Sequence, residues 1–468
     1  MFILSGMTDF VTTTSDSAIG AVGVERLSNR VIWAYSAPRI GVGILGILFS
    51  TYLMKFSTDV LLIAPAAMGI LLAASRMWDA VSDPLVGYLS DNTQSRFGRR
   101  RIWLMGSAIP MGIGMVMIWS PPAALDGVSV VIWMGIALLV YETASTAFYV
   151  PHGAIGVEMT PNYHERTRLF GYTHMLAAIG LLIGLGALQI MNMSEDKRSV
   201  AMILSVACGI TVAVLVMWSG WVLPERTDYQ GRGGDGITKS FVDILKNQHA
   251  RLLLIMYGIE TFGASSIALL VPYLLEYVLP MKAYMVPLLI TYVIPQFAFT
   301  PVFIWLSRKY GKKPLWGATM WAAAFMFILT FFVVTPGEFS YLIWPGTFIF
   351  GLCGGCAAVT APSIKADIID FDEYTTGERK EGAYLAVWNL IRKGAGSLTA
   401  LFTGLALQFS GFMPNIEQSE QVQYWILGLF SLLPGICYLF GAIIFMGFSF
   451  NEKEHAAVRD ALEARRAE

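Results

Sequence analysis

Twelve stretches of mostly apolar residues recur along the chain, separated by short polar or charged segments. A helix needs about 20 apolar residues to cross the hydrocarbon core of a bilayer. The pattern predicts spanning helices near 31–54, 62–90, 102–121, 128–152, 169–193 and 199–223. A second set is predicted near 251–276, 284–307, 314–335, 340–366, 383–411 and 424–448. Spans two, four, ten and eleven carry charges, so hydropathy alone scores them poorly. The polar, Gly-rich segment from Pro224 to Gln248 separates the two sets and reads as a linker. The expected organisation is an N-terminal segment (1–30), a six-helix bundle (31–223), a linker (224–250), a second six-helix bundle (251–448) and a tail (449–468). The charged tail, EKEHAAVRDALEARRAE, predicts a short solvated helix.

Lys and Arg set the orientation, because cytoplasmic loops accumulate them. Arg96, Arg99, Arg100 and Arg101 follow span two, and Arg166 and Arg168 follow span four. Arg226, Arg232, Lys239 and Lys246 lie in the linker. Arg308, Lys309, Lys312 and Lys313 follow span eight, and Arg379 and Lys380 follow span ten. The opposite loops hold Lys197, Arg198 and Lys282. Both termini are therefore expected in the cytoplasm, with the chain in the inner membrane of a bacterial cell.

Composition agrees with lipid as the solvent: 55% of residues are hydrophobic and 14% are charged, against about 25% charged in soluble proteins. A net charge of −1 implies no nucleic-acid partner. The expected partners are a small-molecule solute and the bilayer, with no obligate protein partner evident. Cys208, Cys353, Cys356 and Cys437 sit in apolar runs. The C-x-x-C in FGLCGGCAAV reads as small packing residues. The N-terminal MFILSGMTDFVTTTSDSA lacks the basic start and apolar core of a signal peptide. The sequence shows neither a nucleotide-binding Gly-rich loop nor metal-ligand spacing, so no enzyme and no cofactor is expected, apart from Na⁺ or H⁺ as a coupling ion.

Two internal echoes point to duplication. SRFGRRR after span two is matched by SRKYGKK after span eight, with Gly98 and Gly311 at equivalent points. EMTPNYHERTR after span four is echoed by DIIDFDEYTTGERKEG after span ten. Paired loops of this kind accompany repeated bundles in transporters.

Ionisable groups inside a membrane are costly and point to function. Span two contains SRMWDAVSDPLVGYLSD. Asp79 and Asp83, four apart, share one helix face. Such a pair can coordinate a small cation or share a proton, while Arg76 one turn earlier offers a structural neutraliser for Asp79. Span four carries Glu142, Ser145, Thr146 and Tyr149 at helical spacing. Span seven carries Glu260, with no partner evident. Span eleven carries Asn389, Arg392 and Lys393, and Lys393 can answer the span-two carboxylates. Span one carries Arg39 after Pro38. Trp78, Tyr149 and Trp388 lie near these charges, as sugar-stacking platforms or as ordinary interfacial aromatics.

RMWDAVSDPLVGYLSD with RFGRRR resembles the glycoside–pentoside–hexuronide:cation symporters, the melibiose-permease group of the major facilitator superfamily. VPHGAIGVEMTPNYHERTRL and ADIIDFDEYTTGERKEG through RKG extend the resemblance from about Val31 to Phe448. The resemblance implies an all-α membrane protein with twelve transmembrane helices in two pseudosymmetric six-helix bundles, working by alternating access. It implies that Asp79, Asp83 and Thr146 serve a cation site and that Lys393 lies near cation and sugar. It also implies a cytoplasmic gate, built from Asp91 with Arg99, Arg100 and Arg101 and joined by Glu165, Arg166, Arg379 and Glu381. The alternative for these charges is topology determination alone. The chain departs from the family pattern at four positions. Tyr149 stands where a family carboxylate is found, Gly43 and His174 replace sugar ligands, and Arg39 replaces an acidic residue.

The expected function is cation-coupled symport, by H⁺ or Na⁺, of a small organic solute such as a sugar, glycoside or uronide. Arg39, Glu142, Tyr149, His174, Trp388, Asn389 and Lys393 are the expected substrate residues. Arg39 and His174 point to a solute bearing a carboxylate, although Arg39 can equally pair with Asp79. The alternatives are an uncoupled facilitator or exchanger, a lysolipid-like amphiphile transporter, and a membrane sensor that does not transport.

Overall fold

The computed structural model describes residues 26–160, 162–225, 244–377, 381–450 and 452–467. The expected segment 1–30 therefore lies largely outside the described residues, as do most of the linker and Arg379.

The chain crosses the bilayer in α1 (Asn29–Asp59), α2 (Pro65–Asn92), α3 (Arg101–Trp119), α4 (Gly127–Glu158), α5 (Tyr163–Met193) and α6 (Lys197–Val222). The second set is α7 (Gln248–Val278), α8 (Lys282–Ala298 continuing as Thr300–Tyr310), α9 (Lys312–Val333), α10 (Ile343–Thr376), α11 (Glu381–Ser410) and α12 (Glu420–Met446). All twelve predicted spans are present. Among the described residues nine helices are long and apolar enough to cross a membrane by composition, and α8 joins them as a bent pair. The remaining two, α2 and α11, carry the central charges. α8 bends by 50° at Phe299, where Pro295 and Pro301 each remove a backbone donor. α1 and α7 each widen by one turn, at Leu48–Tyr52 and Leu274–Val278.

The two halves repeat one plan. In the first, α1 packs on α5 and α6, α2 on α4, and α3 on α4 and α6. In the second, α7 packs on α11 and α12, α8 on α10, and α9 on α10 and α12. Every pairing recurs with an offset of six helices. The repeated loops share their geometry as well: Gly98 (φ 104°) and Gly311 (φ 87°) both occupy backbone regions disfavoured for a side chain. After Gly98, Arg99 pairs with Glu158 at the end of α4; after Gly311, Lys312 pairs with Asp367 near the end of α10.

The halves meet chiefly along α2 and α11, with α1 against α7 and α5 against α8. Gly69 and Gly404 bring α2 and α11 into backbone contact: a Cβ on Gly404 meets the Pro65 carbonyl oxygen at 2.4 Å. We expect Gly404→Leu to lower stability by about 1–3 kcal/mol through overpacking, read as a drop in the Tm of the purified protein in detergent.

Twelve crossings return the chain to the face on which it began, called here the terminal face. The tail forms α13 (Glu452–Ala467), and it is not a freely solvated helix. Val458 and Leu462 are buried, and His455 Nε2 lies 3.1 Å from Asp370 of α10. Its apolar stripe docks on the end of the second half, a pattern concealed by the tail's high overall charge. Cys353 and Cys356 are buried and unbridged in α10, and the Cys353 thiol donates to the Thr319 carbonyl of α9 at 3.3 Å.

Candidate functional site

Near the membrane centre α2, α4 and α11 converge on one charge cluster. Asp79 and Asp83 stand one turn apart on α2, and Lys393 of α11 bridges them. The ammonium lies 2.7 Å from Asp79 Oδ2 and also pairs with Asp83. From α4 the Thr146 hydroxyl reaches Asp79 Oδ1 at 2.9 Å and Asp83 Oδ1 at 3.3 Å. Having a single proton, it donates to one of them at a time. Ser82 donates to Thr146 at 3.2 Å. Two carboxylates thus share one ammonium, and the cluster carries one negative charge while all three groups are ionised.

Beside it lies a cavity of about 380 Å³. Arg76, Glu142, Tyr149, Asn389, Arg392 and Lys393 contribute to its wall together with the two aspartates and Thr146. The expected substrate residues divide. Glu142, Tyr149, Asn389 and Lys393 line this cavity. Arg39 sits behind Tyr149, its guanidinium 5.6 Å from the ring centre, and forms no ion pair with Asp79. Trp388 is buried deeper in the second half. His174 is exposed on α5 and faces Phe297 of α8, with ring centres 6.0 Å apart. Gly43 is a packing residue: a Cβ there meets the Ala177 carbonyl oxygen of α5 at 2.3 Å. A carboxylate at that position requires α5 to move away. Trp78 turns from the cavity and donates to Thr143 at 2.9 Å.

The expected gate residues of the first half form a network on the terminal face. Arg100 bridges Asp91 and Glu158, each at 2.6 Å, and Arg99 pairs with Glu158 at 3.0 Å. Arg101 donates to the carbonyls of Gly220 and Trp221. Glu165 accepts from the Leu27 amide and Arg168, and Arg166 donates to the carbonyls of Val157 and Thr160. Glu381 opens α11. These contacts tie α2, α3, α4, α5 and α6 to one another and to the chain just before α1; they do not join the two halves.

The polar lock between the halves lies at the opposite face, on residues that the hydrophobic pattern does not single out. Lys55 at the end of α1 is 1% exposed, pairs with Asp59, and reaches Glu276 of α7 at 2.8 Å. Its ammonium also sits 4.6 Å from the Tyr277 ring centre. Tyr277 donates to Asp59 at 2.7 Å, Thr58 and Tyr273 share a hydrogen bond of 2.8 Å, and Asn415 donates to the Asp59 carbonyl at 2.7 Å. Lys282 completes the pairing of Glu276 at 2.8 Å. Hydrogen bonds and ion pairs between the halves run from this face to the Lys393 cluster. The central cluster is therefore sealed from the face opposite the termini.

A second cavity, about 350 Å³ and mostly apolar, lies among α1, α5, α7, α8, α9 and α10, with Tyr292, Gln296 and Thr347 as polar points.

Known proteins agree with this architecture. Residues 34–452 match the family described as MFS/sugar transport protein, and the chain belongs to that family. It is 24% identical to an uncharacterized symporter of Synechocystis, over 95% of this chain and 98% of that protein. It is 25% identical to a Salmonella typhimurium protein provisionally named a 2,3-dihydroxypropane-1-sulfonate exporter, over 94% of this chain and 97% of the other. The nucleoside transporter NupG shares the fold, with a TM-score of 0.65 over 90% of this chain and 100% of its own, at 11% identity. The protein is an integral membrane transporter of the major facilitator type.

Proposed function

We propose that this transporter is a cation-coupled symporter of a small organic solute. One observation carries the reading: a single ammonium answers two carboxylates, which leaves the Asp79, Asp83 and Lys393 cluster one positive charge short. A net charge held at that depth is costly unless a cation visits it. Bound H⁺ neutralises one carboxylate, whereas Na⁺ takes oxygens from Asp79, Asp83 and Thr146. Tyr149 in place of a further carboxylate favours H⁺, because a proton needs one basic oxygen and Na⁺ needs several.

The adjoining cavity suits a solute of monosaccharide size. Cation and solute share Lys393, so each raises the affinity of the other, as reciprocal linkage requires. The terminal face is cytoplasmic and the membrane is the bacterial inner membrane, in keeping with the basic loops. The sealed opposite face then belongs to a state closed to the outside. The apolar second cavity favours one alternative, an amphiphile whose chain lies there.

Vesicles with an imposed pH or Na⁺ gradient, assayed against a panel of sugars, uronates and acyl amphiphiles, test the reading. Accumulation above equilibrium under one of the gradients supports it; equilibration under both overturns it. The terminal-face network adds a prediction. Asp91→Ala frees Arg100 from one of its two carboxylates and is expected to change maximal rate several-fold, with less than twofold change in half-saturation. Unchanged rates remove the gate role.

A further inference from the structure

The second half holds a set of charges that the cation site does not use. Lys365 of α10 places its ammonium 4.3 Å from the Tyr257 ring centre and 4.9 Å from that of Trp388. Among the described residues it has no ion pair or hydrogen bond. Arg392 also lacks a carboxylate partner; it lines the central cavity one residue before Lys393 and stands one helical turn after Trp388, the residue whose ring holds Lys365. Glu260 of α7 acts on Lys365 through space but does not reach it, and its buried Oε2 has no hydrogen-bond partner. Two cations thus stand with open donors, Arg392 on the cavity wall and Lys365 behind it against Trp388. One is held by aromatic faces, which attract a cation without consuming its hydrogen-bonding capacity.

The charge balance points the same way. Around the membrane centre the Asp79, Asp83 and Lys393 cluster is one positive charge short, whereas Arg39, Arg76, Lys365 and Arg392 exceed Glu142 and Glu260 by two, so the whole set carries an excess of one positive charge when all are ionised. A coupling cation makes the excess two. An anionic solute offsets it, and a neutral sugar does not.

We propose that Lys365 and Arg392, backed by Tyr257 and Trp388, form the subsite that binds an oxyanion headgroup of the solute, a carboxylate or a sulfonate. This rests on the transporter reading and names its substrate class. Arg392 supplies a planar pair of donors and Lys365 a point charge. Glu260 competes for Lys365 and keeps it available for release. The hydroxylated remainder of the solute then extends toward Asn389, Glu142 and Tyr149. The relative named for a hydroxylated propane sulfonate accords with this chemistry.

The test is thermal stability of the purified protein with paired probes: D-glucuronate against D-glucuronamide, and 2,3-dihydroxypropane-1-sulfonate against glycerol. The proposal expects at least one acid to stabilise the protein while its neutral counterpart does not. Lys365→Gln and Arg392→Gln should each weaken that acid at least tenfold, Lys365→Arg should restore most of it, and Glu260→Gln should tighten it. The last result separates a binding subsite from a structural ion pair, whose loss from either side only destabilises the unliganded protein. The unliganded Tm of each variant reports folding, and Lys365→Arg provides a folded comparison if Lys365→Gln misfolds. The proposal is overturned if neither acid outperforms its neutral partner, or if Lys365→Gln and Arg392→Gln bind the acid as the parent does. Acid binding that depends on Lys365 but ignores both Na⁺ and pH overturns the coupling reading and leaves the subsite standing.

Discussion

Asp83→Asn is expected to abolish gradient-driven accumulation while leaving the transporter folded and able to equilibrate solute. Asp83 and Asp79 give the central cluster its unanswered negative charge. With Asn at 83, Lys393 and Asp79 form a closed one-to-one pair at 2.7 Å, and no charge remains to attract a cation. Losing one charged ligand from a partly buried cluster costs about 3 kcal/mol, or roughly 10²-fold in ion affinity. Asp79→Asn should act in the same direction and destabilise more, because the Asp79 side chain is the more buried of the two. Lys393→Ala fails differently, leaving two neighbouring carboxylates without the ammonium that bridges them, which favours protonation of one. Uptake with and without an imposed gradient checks these outcomes: variants that still concentrate solute place the coupling ion elsewhere.

The second large effect is expected at the face opposite the termini. Lys55 neutralises Asp59 and Glu276 across the boundary between the halves. Lys55→Met leaves the buried Asp59 and the half-buried Glu276 with less compensation, a loss of about 3–5 kcal/mol where the broken pair is buried. Asp59 keeps Tyr277, and Glu276 keeps Lys282, so the fold survives while the closed arrangement loses its advantage. That energy exceeds the 1–3 kcal/mol typical of coupling between sites, enough to make the closed state a minor one. Leu274, buried at this end of α7, is a suitable reporter. In a background without the native cysteines, Leu274→Cys should react with a membrane-impermeant maleimide at least tenfold faster once Lys55 is Met. An unchanged rate means that the network does not hold this face shut.

The helices were legible in the sequence because lipid demands long apolar runs, and all twelve predicted spans are present. Composition alone misses α2 and α11 because the residues that make them useful, Arg76, Asp79, Asp83, Arg392 and Lys393, are the ones that lower their hydropathy. The meeting of Lys393 with the two aspartates was readable from helical spacing and family resemblance together. The lock was not. Lys55, Asp59 and Glu276 lie at span ends, where charges usually reach water, and only the i, i+4 spacing of Lys55 and Asp59 hinted at a buried pair. Lys365 was hidden for a related reason, standing beside the acidic run ADIIDFDE that reads as a solvated helix end. His174 was marked by its position in the pattern, and its neighbour in the fold, Phe297 of α8, was not readable from spacing on α5 alone.

The central claim is that the Asp79, Asp83, Thr146 and Lys393 cluster binds the coupling cation. Thermal stability of the purified protein without solute, titrated with Na⁺ at fixed pH and with pH at fixed ionic strength, tests it most directly. A cation that binds the folded state raises stability in proportion to the logarithm of its concentration. The account predicts such a rise with Na⁺ or on acidification in the parent, lost when both Asp79 and Asp83 are Asn. An identical response in the parent and the double variant, or no response in either, contradicts it.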